Sequence, residues 1–138
     1  MKNFLNITLP GQPTAKQRSR KGWQGHWYNP NADDMMKTKR VISEQLPDGF
    51  RTIDSKIPVI VNVTFFFKPS KGESTKKFIK EVEHDLVPHL KKPDRDNSDK
   101  YILDCLSKIV LHDDNQIYGG TIFKYYSNNP RTEIEIRW

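Results

Sequence analysis

The sequence predicts a single small α+β domain over residues 1–138, with a mixed or antiparallel sheet of about four strands packed with two to three helices. Three observations carry this. Val59, Val61, Val63, Phe65 and Phe67 occupy every second position, the period of a strand with one apolar face. Tyr101, Ile102, Cys105, Leu106 and Ile109 recur instead at the three-and-four spacing of a helix with a buried stripe. The length, 138 residues, suits one domain with one modest core.

The elements follow in chain order. Leu5, Ile7 and Leu9 alternate with Asn6 and Thr8, giving a first strand over Phe4 to Leu9 that Pro10-Gly11 ends. Gln12 to Lys21 is basic without one acid and runs into Trp23, His26, Trp27 and Tyr28, a loop in this reading. Asn31 is placed to cap a helix whose first turn holds Asp33 and Asp34. Met35, Thr38, Ile42 and Leu46 mark its inner face, and Pro47 stops it near Gln45. The strand Val59 to Phe67 comes next, broken at Lys68-Pro69. A short helix over Ser74 to Leu86 aligns Phe78, Ile79, Val82 and Leu86, with Lys76, Lys77 and Lys80 outward. His84 and His89 show no metal-binding spacing and read as surface residues, with His89 close enough to the acidic stretch after it to be worth testing. The central helix runs from about Asn97 to Ile109. A strand over Ile117 to Tyr126 is weakened at Gly119-Gly120, a place for a bulge. After the turn Ser127 to Pro130, Thr132 to Trp138 returns as a strand with Ile134, Ile136 and Trp138 inward. Direct antiparallel pairing of these last two strands is the simplest arrangement.

Lys and Arg number 23 against 17 Asp and Glu, a net charge of +6, which is compatible with a polyanionic partner. No charged segment leading into an apolar run opens the sequence, and no stretch is long enough to span a bilayer. The single cysteine, Cys105, excludes an internal disulfide and reads as a core residue in a reducing cytosol.

The chemistry concentrates in Lys91-Lys92-Pro93-Asp94-Arg95-Asp96-Asn97-Ser98-Asp99-Lys100 and in the later Asp113-Asp114 pair. Pro93 biases Lys92 toward extended backbone, which sets Asp94 and Asp96 in or beside a strand-like segment with carboxylates pointing the same way. Lys100 follows Asp96 by four residues, one helical turn on. Like-directed carboxylates repel unless a cation lies between them, and a divalent metal is the usual solution. The same residues also fit plain capping, with Asp96 or Asn97 as N-cap and Asp113-Asp114-Asn115 as turn chemistry. The arm of Lys16, Arg18, Arg20, Lys21 and Trp23 suits phosphate contact with base or sugar stacking, or equally a solvated loop whose tryptophans pack back onto the sheet.

Pro93-Asp94-x-Asp96-Asn97-x-x-Lys100, then Leu103-Asp104-x-Leu106, then Asp113-Asp114-x-Gln116-Ile117 resembles the signature of the RusA family of Holliday junction resolvases. Gly11-x-Pro13-x-x-Lys16-x-Arg18-x-Arg20 is similar to the amino-terminal loop of that family and turns the reading of the arm toward DNA contact. The resemblance implies a small α+β homodimer that binds four-way DNA junctions and nicks two strands symmetrically with Mg²⁺, Mn²⁺ being a candidate substitute. It implies Asp94, Asp96 and Asp114 as metal-holding catalytic residues, Asp113 as a further candidate, and Lys100 as the charge stabiliser at the transition state. Lys16, Arg18, Arg20, Lys21, Trp23, Lys91 and Lys92 are the expected DNA contacts. Such proteins are often carried by bacteriophages or prophages, which implies the cytoplasm of a bacterial host. Two residues depart from the family pattern. Ser98 stands where an apolar residue is usual and Asp99 adds a charge beside Lys100; surface positions would accommodate both, with Asp99 also able to compete for Lys100. Two other readings stay open: a metal-dependent nuclease for other branched DNA or RNA, and a catalytically silent basic DNA-binding module.

Overall fold

The computed structural model describes residues 2–138. Its centre is the long strand β4, Val59–Phe67, preceded by β1, Phe4–Pro10, and followed late in the chain by β5, Ile117–Gly119, β6, Ile122–Tyr126, and β7, Arg131–Arg137. The order across the sheet is β1-β7-β4-β5, with β6 continuing along the same flank of β4 as β5. β7 is antiparallel to both β1 and β4, so that Leu5, Ile136 and Val61 lie abreast, as do Ile7, Ile134 and Val63. β5 and β6 run parallel to β4. A separate two-stranded ribbon joins β2, Arg20–Lys21, to β3, Trp27–Tyr28.

The expected strand over 117–126 is thus two strands, and the interruption falls at the two glycines. Gly120 has φ +145°, and a Cβ there would come within 1.8 Å of the Val61 carbonyl oxygen, so only glycine lets the chain cross β4 so closely. The expected hairpin between the last two strands does not form. The Ser127 amide donates to the Phe67 carbonyl at 2.9 Å, so the turn steps over the end of β4 and delivers β7 to its far side.

Three helices complete the domain: α1, Ala32–Glu44, α2, Lys76–His84, and α3, Arg95–Leu106. Ile42 of α1 and Tyr101, Ile102, Cys105 and Leu106 of α3 are buried against the apolar sheet face, with Thr38 and Tyr101 hydroxyls 2.9 Å apart between the helices. Gln45, just past α1, receives a hydrogen bond from the Thr8 amide at 2.9 Å and donates one to its carbonyl at 2.7 Å, covering the free edge of β1. Helix α2 is shorter than expected: Thr75 caps it through the Phe78 amide, and Leu86 lies beyond its end, exposed.

Candidate active site

The entrance of α3 carries the acidic stretch. Asp94 is its N-cap, with extended backbone, and its side chain accepts from the Asn97 amide at 3.0 Å. Asp96 is in the first turn, where the helix dipole favours a negative charge. The helix begins at Arg95 rather than Asn97, so Asp94 and Asp96 do not share a strand; one flanks the helix and the other is inside it. The reason is Asp94 itself, since an aspartate held extended ahead of Arg95 satisfies the orphan Asn97 amide and caps the helix three residues before Asn97 could do so. The helix also ends early, at Leu106, where Lys108 turns with φ +69° and its amide donates to the Leu111 carbonyl at 2.7 Å. Asp96 and Lys100 are one turn apart and exposed, and no ion pair joins them among the described residues.

Ser98 is not on the surface, and Asp99 is only partly so. Ser98 is fully buried and its hydroxyl has no partner. Asp99 is half-buried and lines a small recess with Val61, Leu103 and Gly120, where burial, reinforced by the Asp96 charge, raises its carboxyl above the usual range. Both point toward the sheet because they lie on the same side of α3 as Ile102 and Cys105.

The second acidic block forms a short 3-10 helix, Asp114–Gln116, capped by Asp113. The Asp113 carboxylate accepts from the Asn115 amide at 2.9 Å, and the Gln116 side chain accepts from the Asp113 amide at 3.0 Å. Gln116 also donates to the Asp54 and Ile57 carbonyls at 2.9 and 3.0 Å, locking the turn onto the body of the domain. Asp113 is held below the usual carboxylate range by the Asn115 amide and then by Asp114. Asp114 is pushed up by its hydrogen bond to Asp113, by burial, and by the charges of Asp113 and Asp104. The two members of the doublet therefore differ: Asp113 is committed to the turn as the ionised partner, and Asp114, exposed, is the member that holds a proton more readily.

Asp104 links this block to the basic arm. Its carboxylate receives the Lys16 ammonium at 2.6 Å, and the Lys16 amide donates to the Asn97 carbonyl at 2.9 Å. Lys16 is accordingly an anchor of the arm to α3. Asn31 holds the N-cap position of α1 as expected but makes no side-chain capping bond; buried, its side chain accepts from the Gln17 amide at 2.7 Å and donates to the Ala15 carbonyl at 3.2 Å. Beyond this root Arg18, Arg20, Lys21 and Trp23 are exposed, and the tryptophans do not pack back onto the sheet.

On the other side of the α3 entrance, residues 87–91 lie along β6 as a strap. The Tyr126 amide donates to the Val87 carbonyl at 2.8 Å, the His89 amide to the Lys124 carbonyl at 3.0 Å, and the Lys124 ammonium to the Lys91 carbonyl at 2.7 Å. His89 is buried, contrary to the expectation of a surface residue. Its ring stacks on Phe67 at 4.0 Å between centroids, its Nδ1 has no partner, and Leu90 turns outward in its place. Burial lowers its pKa, helped by the Lys124 charge and opposed by Glu73. Lys91 pairs with Glu73 at 3.2 Å, and Lys92 is exposed.

Lys124 and Asp104 are the site residues that sequence reasoning left without a role. Lys124 lies on the covered face of the sheet, opposite Phe65, in the field of Asp94. A lone lysine alternating with Ile122 and Tyr126 was the available signal.

Asp94, Asp96, Asp113 and Asp114 offer only carboxylate oxygens, the donors magnesium prefers, and the crowding of Asp113 and Asp104 around Asp114 is of the kind a divalent cation relieves. The donor chemistry fits. Among the described residues, no three His, Cys, Asp or Glu side chains converge on one point as a ready ion cage.

An α+β domain with an acidic helix entrance beside a cationic arm has the equipment to act on nucleic acid. The chain belongs to the RusA endodeoxyribonuclease family: the model described as Endodeoxyribonuclease RusA matches residues 10–137. It is also similar to YqaN of Bacillus subtilis (strain 168), a protein described as uncharacterized, with 30% identity over 139 residues covering 96% of this chain and 95% of YqaN. No helix is long and apolar enough to cross a membrane among the described residues.

Proposed function

We propose that this protein is a magnesium-dependent endodeoxyribonuclease that resolves four-way DNA junctions by paired symmetric nicks, as a homodimer, in recombination and repair. The observation that supports it most is the exposed acidic entrance of α3, flanked by Lys100 and fastened through Lys16 to a cationic arm, in a chain of an endodeoxyribonuclease family. Asp94, Asp96 and Asp114 would hold the metal, Mg²⁺ or Mn²⁺ in its place, with Asp113 fixing the turn that carries Asp114. The metal supplies positive charge at the phosphate oxygens and a bound water of lowered pKa. Lys100 stabilises the charge that develops on the phosphoryl oxygens. Lys91 and Lys92, beside the entrance, and Arg18, Arg20 and Lys21, on the arm, bind the backbone of the DNA arms. Two-fold pairing of the chain would match the two-fold symmetry of the junction and supply one site for each nick.

The binding-module reading draws on one observation, that Asp94 and Asp113 both serve as caps. One experiment separates the two: an end-labelled mobile four-way junction and a linear duplex of the same sequence, each with Mg²⁺ and with chelator. Symmetric nicks on the junction alone, with metal alone, are the expected result. Tight junction binding without cleavage in any metal would overturn the nuclease reading.

A further inference from the structure

We infer that the ribbon of residues 20–28 is a base-stacking arm, with Trp23 as its platform, that engages the base faces exposed at the DNA branch point. The inference rests on the branched-DNA reading above. Its first support is exposure. Trp23 is 94% exposed, Trp27 70% and Tyr28 49%, whereas the core is closed by other side chains. Solvent-facing aromatics of this size, crowded onto one short ribbon, mark a surface made to be covered.

The second support is order. Arg20 pairs with Tyr28 and Lys21 with Trp27. The Gly22 amide donates to the His26 carbonyl at 2.7 Å and the Gly25 amide to the Gly22 carbonyl at 2.9 Å, closing a tight tip in which Gly25 has φ +81°. Trp23 is thus presented at the apex of a hairpin, not left on a loose coil.

Charge selects the occupant. Arg20 and Lys21 lie opposite Tyr28 and Trp27 in the ribbon, Arg18 directly precedes it, and no acidic residue comes before Asp33. Two such arms repel one another, which disfavours a second copy of this chain as the cover. A polyanion bearing accessible π-faces fits: cations take the phosphates and the indole takes a base. The interior of a duplex offers no free base face, and a branch point does.

Position relates the arm to the cut. The root is fixed by Lys16 to Asn97 and Asp104 of α3, and by Gln17 to the buried Asn31. From Gln17 to Trp23 a fully extended chain reaches at most about 20 Å. That span covers roughly six base steps at 3.4 Å each along one strand. The arm would therefore contact bases within about six nucleotides of the phosphate held at the α3 entrance, linking branch-point recognition to the choice of cut.

The test uses the full chain in chelator, so that binding proceeds without cleavage. Four-way junctions carry 5-iodouracil at successive positions around the branch point, and affinity is measured for junction and matched duplex with wild type, Trp23→Ala and Trp23→Phe. Photocrosslinks from positions near the branch point to the peptide containing Trp23 are expected. Trp23→Ala should lower the junction-over-duplex preference about tenfold, the scale of losing one stacked base, and Trp23→Phe should restore most of it. A wild-type preference that survives in Trp23→Ala overturns the inference. So does a Trp23→Ala protein that becomes monomeric by sedimentation velocity, which would make the ribbon a contact between subunits. A wild-type protein with no preference for the junction removes the branched-DNA reading itself, and the inference with it.

Discussion

The acidic entrance of α3 and the aromatic arm meet at Lys16, yet they are built by opposite means. The entrance stands on a helix whose other side is core: Tyr101, Ile102, Cys105 and Leu106 are each no more than 2% exposed. Its Asp94 carboxylate is fixed by the Asn97 amide, as Asp113 in the second acidic block is by that of Asn115. Between Gln17 and Pro30, by contrast, no residue is buried. The arm keeps its shape through the pairing of four residues and a tight tip, and contributes nothing to the core. On the proposed function, the residues that would do the chemistry sit on the rigid element, where placement to a fraction of an ångström is kept. The surface that would accommodate DNA of irregular shape sits on a limb. The contrast predicts that substitutions at the entrance change rate and stability by separable routes, whereas substitutions on the arm change binding alone.

The largest effect is expected at Asp94. Asparagine caps helices about as well as aspartate, so Asp94→Asn keeps the bond to the Asn97 amide while removing the charge. Cleavage should fall by at least about 10³-fold, equivalent to roughly 4 kcal/mol, with little change in melting temperature. Asp94→Ala should lose activity to the same extent and about 1 kcal/mol of stability as well. Asp114→Asn should match Asp94→Asn in activity. An Asp94→Asn enzyme that cuts at the wild-type rate would reduce Asp94 to a cap and break the contrast at its stronger end.

The arm gives the complementary result. Replacing Arg18, Arg20 and Lys21 together by alanine should weaken DNA binding and flatten the plot of log affinity against log salt. The slope should drop by about 2.7 if each cation displaces one counterion from B-DNA. Thermal stability should not move, because these side chains touch nothing in the core. A triple variant that melts well below wild type would show that the arm supports the fold.

How much of this was legible in the sequence follows the same division. Alternation at Val59 to Phe67 and the stripe from Tyr101 to Ile109 located the central strand and α3, because burial on one face leaves a local period. The neighbours of β4 were not legible. Whether Thr132 to Trp138 pairs with the preceding strand or crosses to the far side of β4 depends on the Ser127 bond to Phe67, a contact between residues far apart in sequence. The acidic residues themselves were found by motif, yet their backbone setting was misjudged, since Pro93 suggested a strand where Asp94 starts a helix. His89, Lys124 and Ser98 escaped for one reason: polar residues on a buried face look like surface residues until the face is known.

Ser98 offers a smaller test on the rigid side. Its hydroxyl is buried without a partner, and its position on α3 favours an apolar side chain. Ser98→Ala removes an unsatisfied polar group and improves helix propensity, so stability should rise by about 1 kcal/mol in denaturant unfolding, with cleavage unchanged. Loss of stability would mean that the hydroxyl has a bonded water or another partner.

The smallest and most selective effect concerns pH, and it belongs to the entrance through the strap. His89 faces Lys124, Lys91 and Glu73, and its folded pKa lies below the ordinary value of about 6.5. In the window from 6.5 downward to that folded value, the unfolded chain binds the proton more readily than the native one, so stability falls as pH drops. Above 6.5 both states are neutral at this residue and the contribution is constant. Glu73, lowered to about 2 chiefly by the Tyr126 hydroxyl, acts in a separate window, between its ordinary 4.5 and 2. His89→Phe keeps a ring on Phe67 and removes the titrating nitrogen. Melting curves between pH 7 and pH 5 should therefore show a decline in wild type that is flattened in His89→Phe, while the arm variant declines as wild type does. An equal decline in His89→Phe would move the acid sensitivity to a group other than His89.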